Sequence, residues 1–133
     1  MAWSKISAAD IADSEPSVVG KLLRALAYAH EDDNTNKAAD ALEEYFRKRF
    51  RQLDYDTAFE IVRGLGDEHQ ERVALLDTKF WVWETLEEAI APRVMDLNKE
   101  DTLRVAKAFI GNLKGSENLQ RDLEEKIVAL KIA

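Results

Sequence analysis

One five-residue pattern recurs three times along this chain and confines the fold more tightly than any other feature. It reads apolar, apolar, basic, small, large apolar. Leu22-Leu23-Arg24-Ala25-Leu26 matches Ile61-Val62-Arg63-Gly64-Leu65, and both match Val105-Ala106-Lys107-Ala108-Phe109. A second pattern follows each copy: Leu42-Glu43-Glu44-Tyr45-Phe46, Leu86-Glu87-Glu88-Ala89-Ile90 and Leu123-Glu124-Glu125-Lys126-Ile127. The basic residue and the following leucine stand 18, 23 and 16 residues apart, so the repeat is degenerate. Apolar residues at steps of three and four are the signature of an amphipathic helix. A recurring pair of such helices predicts stacked antiparallel helix pairs, each covering the apolar face of the next.

Five Gly and two Pro in 133 residues leave few breakers, so helices should be long. Cap signals punctuate them. Ser7 with Asp10 starts a short first helix, and Ser14 before Pro16 starts the second, with Val18, Val19, Leu22, Leu23 and Leu26 on one face. The polar stretch Glu31–Asn36 reads as a loop, followed by a helix from about Lys37 to Phe50. Asp54 caps the next, which Gly66 ends. Asp67 and Gln70 form a capping box for a long helix from about Glu68 to Ala91, bent or stopped at Pro92. Asn98 opens a helix to about Leu113, Gly115 stops it, and Ser116 caps the last, Glu117 to Ile132. The prediction is an all-α single domain over residues 1–133, about seven helices, with pairs at 15–51, 54–93 and 98–132. In the long central helix, Val73, Leu76, Phe80, Trp83 and Ile90 form one apolar stripe. Leu75, Val82, Leu86 and Ala89 form a second, which predicts neighbours on two sides.

Charge and composition remove several function classes. Lys+Arg is 19 against 26 Asp+Glu, a net charge of −7, which makes nucleic acid and anionic membrane poor partners. With no cysteine, a disulfide framework, a thiol nucleophile and a Cys-ligated zinc or iron–sulfur site are excluded, and a reducing compartment fits. The longest apolar run, Ala25–Ala29, is far short of the ~20 residues that span a bilayer. Met1–Ala12 lacks the apolar core of a signal peptide.

Metal and catalytic motifs are not assembled. His30 and His69 lack the His-Glu-x-x-His and Glu-x-x-His spacings. Glu31-Asp32-Asp33 lacks the spacing of a calcium loop. Gly64-Leu65-Gly66 follows no strand and has no third glycine, so it reads as a helix ending. No serine sits in a nucleophile elbow. Glu87-Glu88 reads as ordinary helix-face charge. A non-enzymatic role with no cofactor and no metal is therefore expected.

Four residues stand out for recognition. Phe80–Trp83 sweeps most of a helix turn, so one ring must leave the two core stripes. Trp81 shares its direction with Ala74, Asp77, Thr78, Thr85 and Glu88; it either anchors a partner or is covered by the neighbouring helix pair. The repeat puts Arg24, Arg63 and Lys107 at equivalent positions, which a stack would turn into a basic ladder for an acidic segment of a partner. The alternative is three separate solvated cations. Arg47-Lys48-Arg49 with Arg51 is a compact basic cluster that could meet phosphates or simply offset a helix dipole.

The helix-pair plan resembles the tetratricopeptide and HEAT type of scaffold, although no Trp-x-x-Leu-Gly-x-x-Tyr run is present. The stretch Ala58–Ala89, the helix count and the missing cysteines resemble the trypanosomatid family of mitochondrial membrane-anchored proteins called MIX. That resemblance implies an all-α scaffold held at the mitochondrial membrane by an N-terminal segment, which residues 1–133 do not contain. The expected function is a non-enzymatic scaffold that binds other proteins. An RNA-binding helical repeat and a structural subunit that self-associates are the alternatives.

Overall fold

Seven α-helices form among the described residues, 3–65, 79–112 and 116–132 of the computed structural model. They are α1 (Ala8–Ala12), α2 (Pro16–Tyr28), α3 (Asp33–Lys48), α4 (Tyr55–Leu65), α5 (Phe80–Ile90), α6 (Lys99–Ala106) and α7 (Glu117–Ile132). Short 3-10 segments cover Trp3–Lys5 and Ala91–Asp96, and a wider π turn, Lys107–Asn112, continues α6. No strand occurs among the described residues, and the chain is an all-α single domain. No helix among them is long and apolar enough to cross a membrane.

Local chemistry sets most helix starts. At α1 the Ser7 hydroxyl accepts the Asp10 N–H, and the Asp10 carboxylate accepts the Ser7 N–H, a reciprocal capping box. Asn98 and Ser116 cap α6 and α7 by accepting the Asp101 and Leu119 N–H groups at 2.8 and 3.1 Å.

Four sequence expectations change. The second helix starts at Pro16 with Glu15 as N-cap; the Ser14 hydroxyl turns back to donate to the Asp10 carbonyl at 2.9 Å. Helix α3 starts at Asp33, not Lys37, because the Asp32 carboxylate accepts the Thr35 N–H at 2.9 Å. The Thr35 hydroxyl in turn accepts the Asp32 N–H at 2.8 Å and is buried. The expected unbroken helix from Glu68 to Ala91 does not form, since Lys79 is non-helical and α5 begins at Phe80. Its remaining features, namely Val73, Leu75 and Leu76 and the signals at Gly66, Asp67 and Gln70, lie outside the described residues. Finally, the α-helical part of the sixth helix ends at Ala106, where the π turn takes over; the stop at Gly115 also lies outside.

The tightest pairing joins α2 to α4. Gly20 and Gly64 meet there backbone to backbone. A Cβ on Gly20 would overlap the Ile61 carbonyl oxygen and lie 2.7 Å from Gly64 Cα, and one on Gly64 would overlap the Ser17 carbonyl. Gly64 is thus a packing contact in the last turn of α4, which ends at Leu65; Gly66, the expected stop, lies outside the described residues. Helix α4 also touches α5 and α6, α3 lies on α5, and α7 packs on α6 and on the Ala91–Asp96 segment. The core runs through Leu23, Leu42, Phe46, Ile61, Leu86, Ile90, Phe109 and Leu123, all essentially fully buried. Each such side chain contributes about 1.5–3 kcal/mol of transfer free energy.

Four of the ten positions equated by the two sequence patterns share their burial in all three copies. Leu23, Val62 and Ala106 are inside, as are Leu26, Leu65 and Phe109, and Leu42, Leu86 and Leu123. Glu44, Glu88 and Glu125 are outside.

Candidate functional site

Helix α5 faces inward through Val82, Thr85, Leu86 and Ile90. This stripe determines where its aromatic start points. The Thr85 hydroxyl donates to the Phe46 carbonyl at 2.9 Å, so the direction shared by Trp81 and Thr85 is turned toward α3 and not to water. Trp81 is half-buried, its ring edge-on to Phe50 at 5.2 Å. Phe80, expected in a core stripe, is the ring that emerges, 45% exposed. It stands edge-on to Trp81 at 5.1 Å and to Trp83 at 5.0 Å. Four rings, Phe50, Trp81, Phe80 and Trp83, therefore run in unbroken contact from the end of α3 across the start of α5.

Charge frames this cluster. Arg51 has a left-handed backbone, φ 64°, a conformation that costs a side-chain-bearing residue roughly 1 kcal/mol. Its guanidinium lies 5.0 Å from the Phe50 ring and pairs with Glu88 at 3.6 Å. Lys79, at the α5 start, pairs with Asp40 of α3.

On the other side of Trp83 a groove of about 560 Å³ opens between α5 and α7. Trp83, Ala91, Pro92 and Leu119 give it apolar walls, and Glu84, Glu87, Glu88 and Asp122 give it carboxylates. Glu87 is buried and already committed: it accepts the Ser116 N–H at 3.0 Å and the Ser116 hydroxyl, tying the start of α7 to α5. Burial, then the negative charges of Glu87 and Glu88, raise the Glu84 pKa above the ordinary carboxylate range, and Arg51 partly opposes them.

The basic positions equated by the repeat lie on helices in mutual contact, with Arg24 on α2, Arg63 on α4 and Lys107 just past α6. Arg24 is half-buried, while Arg63 and Lys107 are exposed. Arg63 is engaged within its own helix, 3.5 Å from Glu60 and 5.1 Å from the Phe59 ring. The Arg47–Arg51 cluster is also engaged locally. Lys48 pairs with Glu44 at 3.2 Å, and Arg49 donates to the Tyr45 carbonyl at 3.1 Å while lying 3.9 Å from its ring centre. That is how cations settle at a helix C-terminus.

Two arrangements were not legible from the chain. The first is the Phe50–Trp81 contact, which joins the turn after α3 to α5. The second is the buried Lys126, whose ammonium donates to the Val94 and Leu97 carbonyls at 2.6 Å each. Burial holds its pKa below the usual lysine range, with Asp96 pulling it back up. Those carbonyls lie at the end of a 3-10 segment, where the Leu97 N–H reaches the Val94 carbonyl at 3.3 Å and the Thr102 hydroxyl reaches the Leu97 carbonyl at 3.4 Å, both longer than the bonds from the ammonium.

Among the described residues, no group of three or more His, Asp or Glu is placed to hold a metal ion. Comparison with protein-family models, with curated proteins and with solved structures gives no match for this chain.

Proposed function

We propose that this chain is a non-catalytic helical scaffold that binds a partner protein through the aromatic surface at the start of α5. One observation carries the reading: a continuous run of four rings ends in a phenylalanine that is 45% exposed. Large aromatics dominate the energetics of protein interfaces, and their cost in water is recovered when a partner covers them. The burial shared by four of the ten equated positions is what supports a stack of helix pairs, a plan that offers extended surfaces for partners. Arg24, Arg63 and Lys107 belong to the same reading as a secondary basic surface, and Trp81 acts mainly by supporting Phe80. Mitochondrial membrane association, implied by the resemblance to MIX, accompanies this proposal; imaging the tagged chain against a mitochondrial marker tests it.

The main test is affinity co-purification of the tagged chain from its own cells, with Phe80→Ala and Met95→Ala alongside. Met95 is 70% exposed and remote in sequence from the ring cluster. A partner lost with Phe80→Ala and kept with Met95→Ala supports the surface. Equal recovery in all three overturns it.

A further inference from the structure

We propose that the groove between α5 and α7 receives a basic segment of a partner protein, with an arginine stacked on Trp83 and its guanidinium held between Glu84 and Asp122. The inference rests on the scaffold reading and adds the chemistry of the partner.

The groove has the parts such a side chain needs. Its volume, about 560 Å³, is open to solvent and exceeds what a water or a simple ion would fill. Trp83, Pro92 and Leu119 offer apolar contact for an aliphatic stem, and the Trp83 face suits a guanidinium. Glu84 and Glu88 stand one turn apart on α5, with Asp122 supplied by α7. Among the described residues no lysine or arginine lines the groove, and none forms an ion pair with Glu84 or Asp122. Glu88 has Arg51, but that pair is solvent-exposed at 3.6 Å and belongs to the rim. The negative potential is therefore offset only in part, by Arg51 from the rim, where the aromatic wall is present. Planar guanidinium matches this combination better than ammonium, since it stacks on rings and grips two carboxylates at once. The Phe80 ring lies 5.0 Å from that of Trp83, so the aromatic surface and the groove adjoin.

The test is a titration of the ¹⁵N-labelled full chain with an acetylated hexapeptide alternating arginine and leucine. The same peptide with citrulline for arginine is the neutral control. Shifts centred on the Trp83 indole N–H and the backbone of Glu84, Glu88 and Asp122 are expected with the arginine peptide only. The isosteric double variant Glu84→Gln/Asp122→Asn should weaken binding about tenfold or more, and Trp83→Leu should weaken it by a similar factor. Glu60→Gln, which removes one exposed charge on α4, should leave it unchanged. Equal binding of the citrulline peptide, or equal loss with Glu60→Gln, overturns the inference. Concentration-dependent self-association abolished by Arg47→Glu/Lys48→Glu also overturns it, by putting a second copy of the chain in the groove. If the peptide fails while Phe80-dependent capture persists, the groove inference falls alone; if both fail, the scaffold reading falls with it.

Discussion

At the α2–α4 crossing, Gly20 and Gly64 remove their side chains so that two backbones meet with nothing between them. Between α5 and α7 the chain does the reverse, keeping Trp83, Glu84 and Asp122 around an open groove and leaving Phe80 in water. The two regions share a helical plan and differ in where their surface is directed. Close packing of the first consumes its polar and apolar surface internally and tolerates no added volume. The second carries exposed aromatic area and an excess of carboxylates that Arg51 offsets only in part, features that weaken an isolated fold and suit a binding face.

Substitutions can break or sharpen this contrast. The largest effect is expected from Gly20→Ala. An alanine ordinarily favours a helix by about 1 kcal/mol over glycine, but here its Cβ strikes backbone. A net destabilisation of about 2 kcal/mol or more follows from overpacking. Urea denaturation followed by circular dichroism measures it, and a gain in stability would show that the crossing is loose.

Lys126→Met comes next. It keeps most of the apolar stem and removes the charged donor to the Val94 and Leu97 carbonyls, leaving them the longer bonds from the Leu97 N–H and the Thr102 hydroxyl, for a cost of about 1.5–3 kcal/mol by the same measurement. A neutral result would mean that the Leu97 N–H and the Thr102 hydroxyl, with water, satisfy both carbonyls.

Arg51→Gly should be small and stabilising. It relieves a left-handed residue by roughly 1 kcal/mol and loses an exposed ion pair worth about 0.5 kcal/mol. If it instead destabilises, the Arg51–Phe50 contact matters more to the aromatic surface than the backbone does.

The smallest effect concerns pH. Glu84 has a raised folded-state pKa, so its ionised form opposes folding. The penalty is present above the folded pKa and vanishes as pH falls below the ordinary glutamate value. Glu84→Gln should therefore raise stability near neutral pH and leave it unchanged at acidic pH, a difference that thermal melts across that range would reveal. An equal gain at both ends would trace the effect to packing.

The fold was readable because its causes are local. Ser7, Asn98 and Ser116 act within their own helix turns, and Leu42, Leu86 and Leu123 follow a period that any neighbour would enforce. Errors arose where a long-range partner decides. Gly64 reads only as the small position of the repeat, and its backbone contact appears once Gly20 is placed against it. Phe80 leaves its expected core stripe, and Trp81 takes the covered alternative, because Thr85 reaches the Phe46 carbonyl, 39 residues away in sequence. A run of four aromatic and apolar residues announced that one ring must leave the core; which one depended on α3. The Glu84–Glu88 spacing was visible, whereas Asp122 joins it only through the packing of α7.

The most direct test of the aromatic surface places a photo-crosslinking benzoylphenylalanine at position 80 of the full chain in its own cells. Position 18 on α2, where Val18 is 39% exposed, serves as the control. The account predicts a discrete covalent adduct with a partner protein from position 80 and none from position 18. No adduct from position 80, or the same adducts from both, would contradict it.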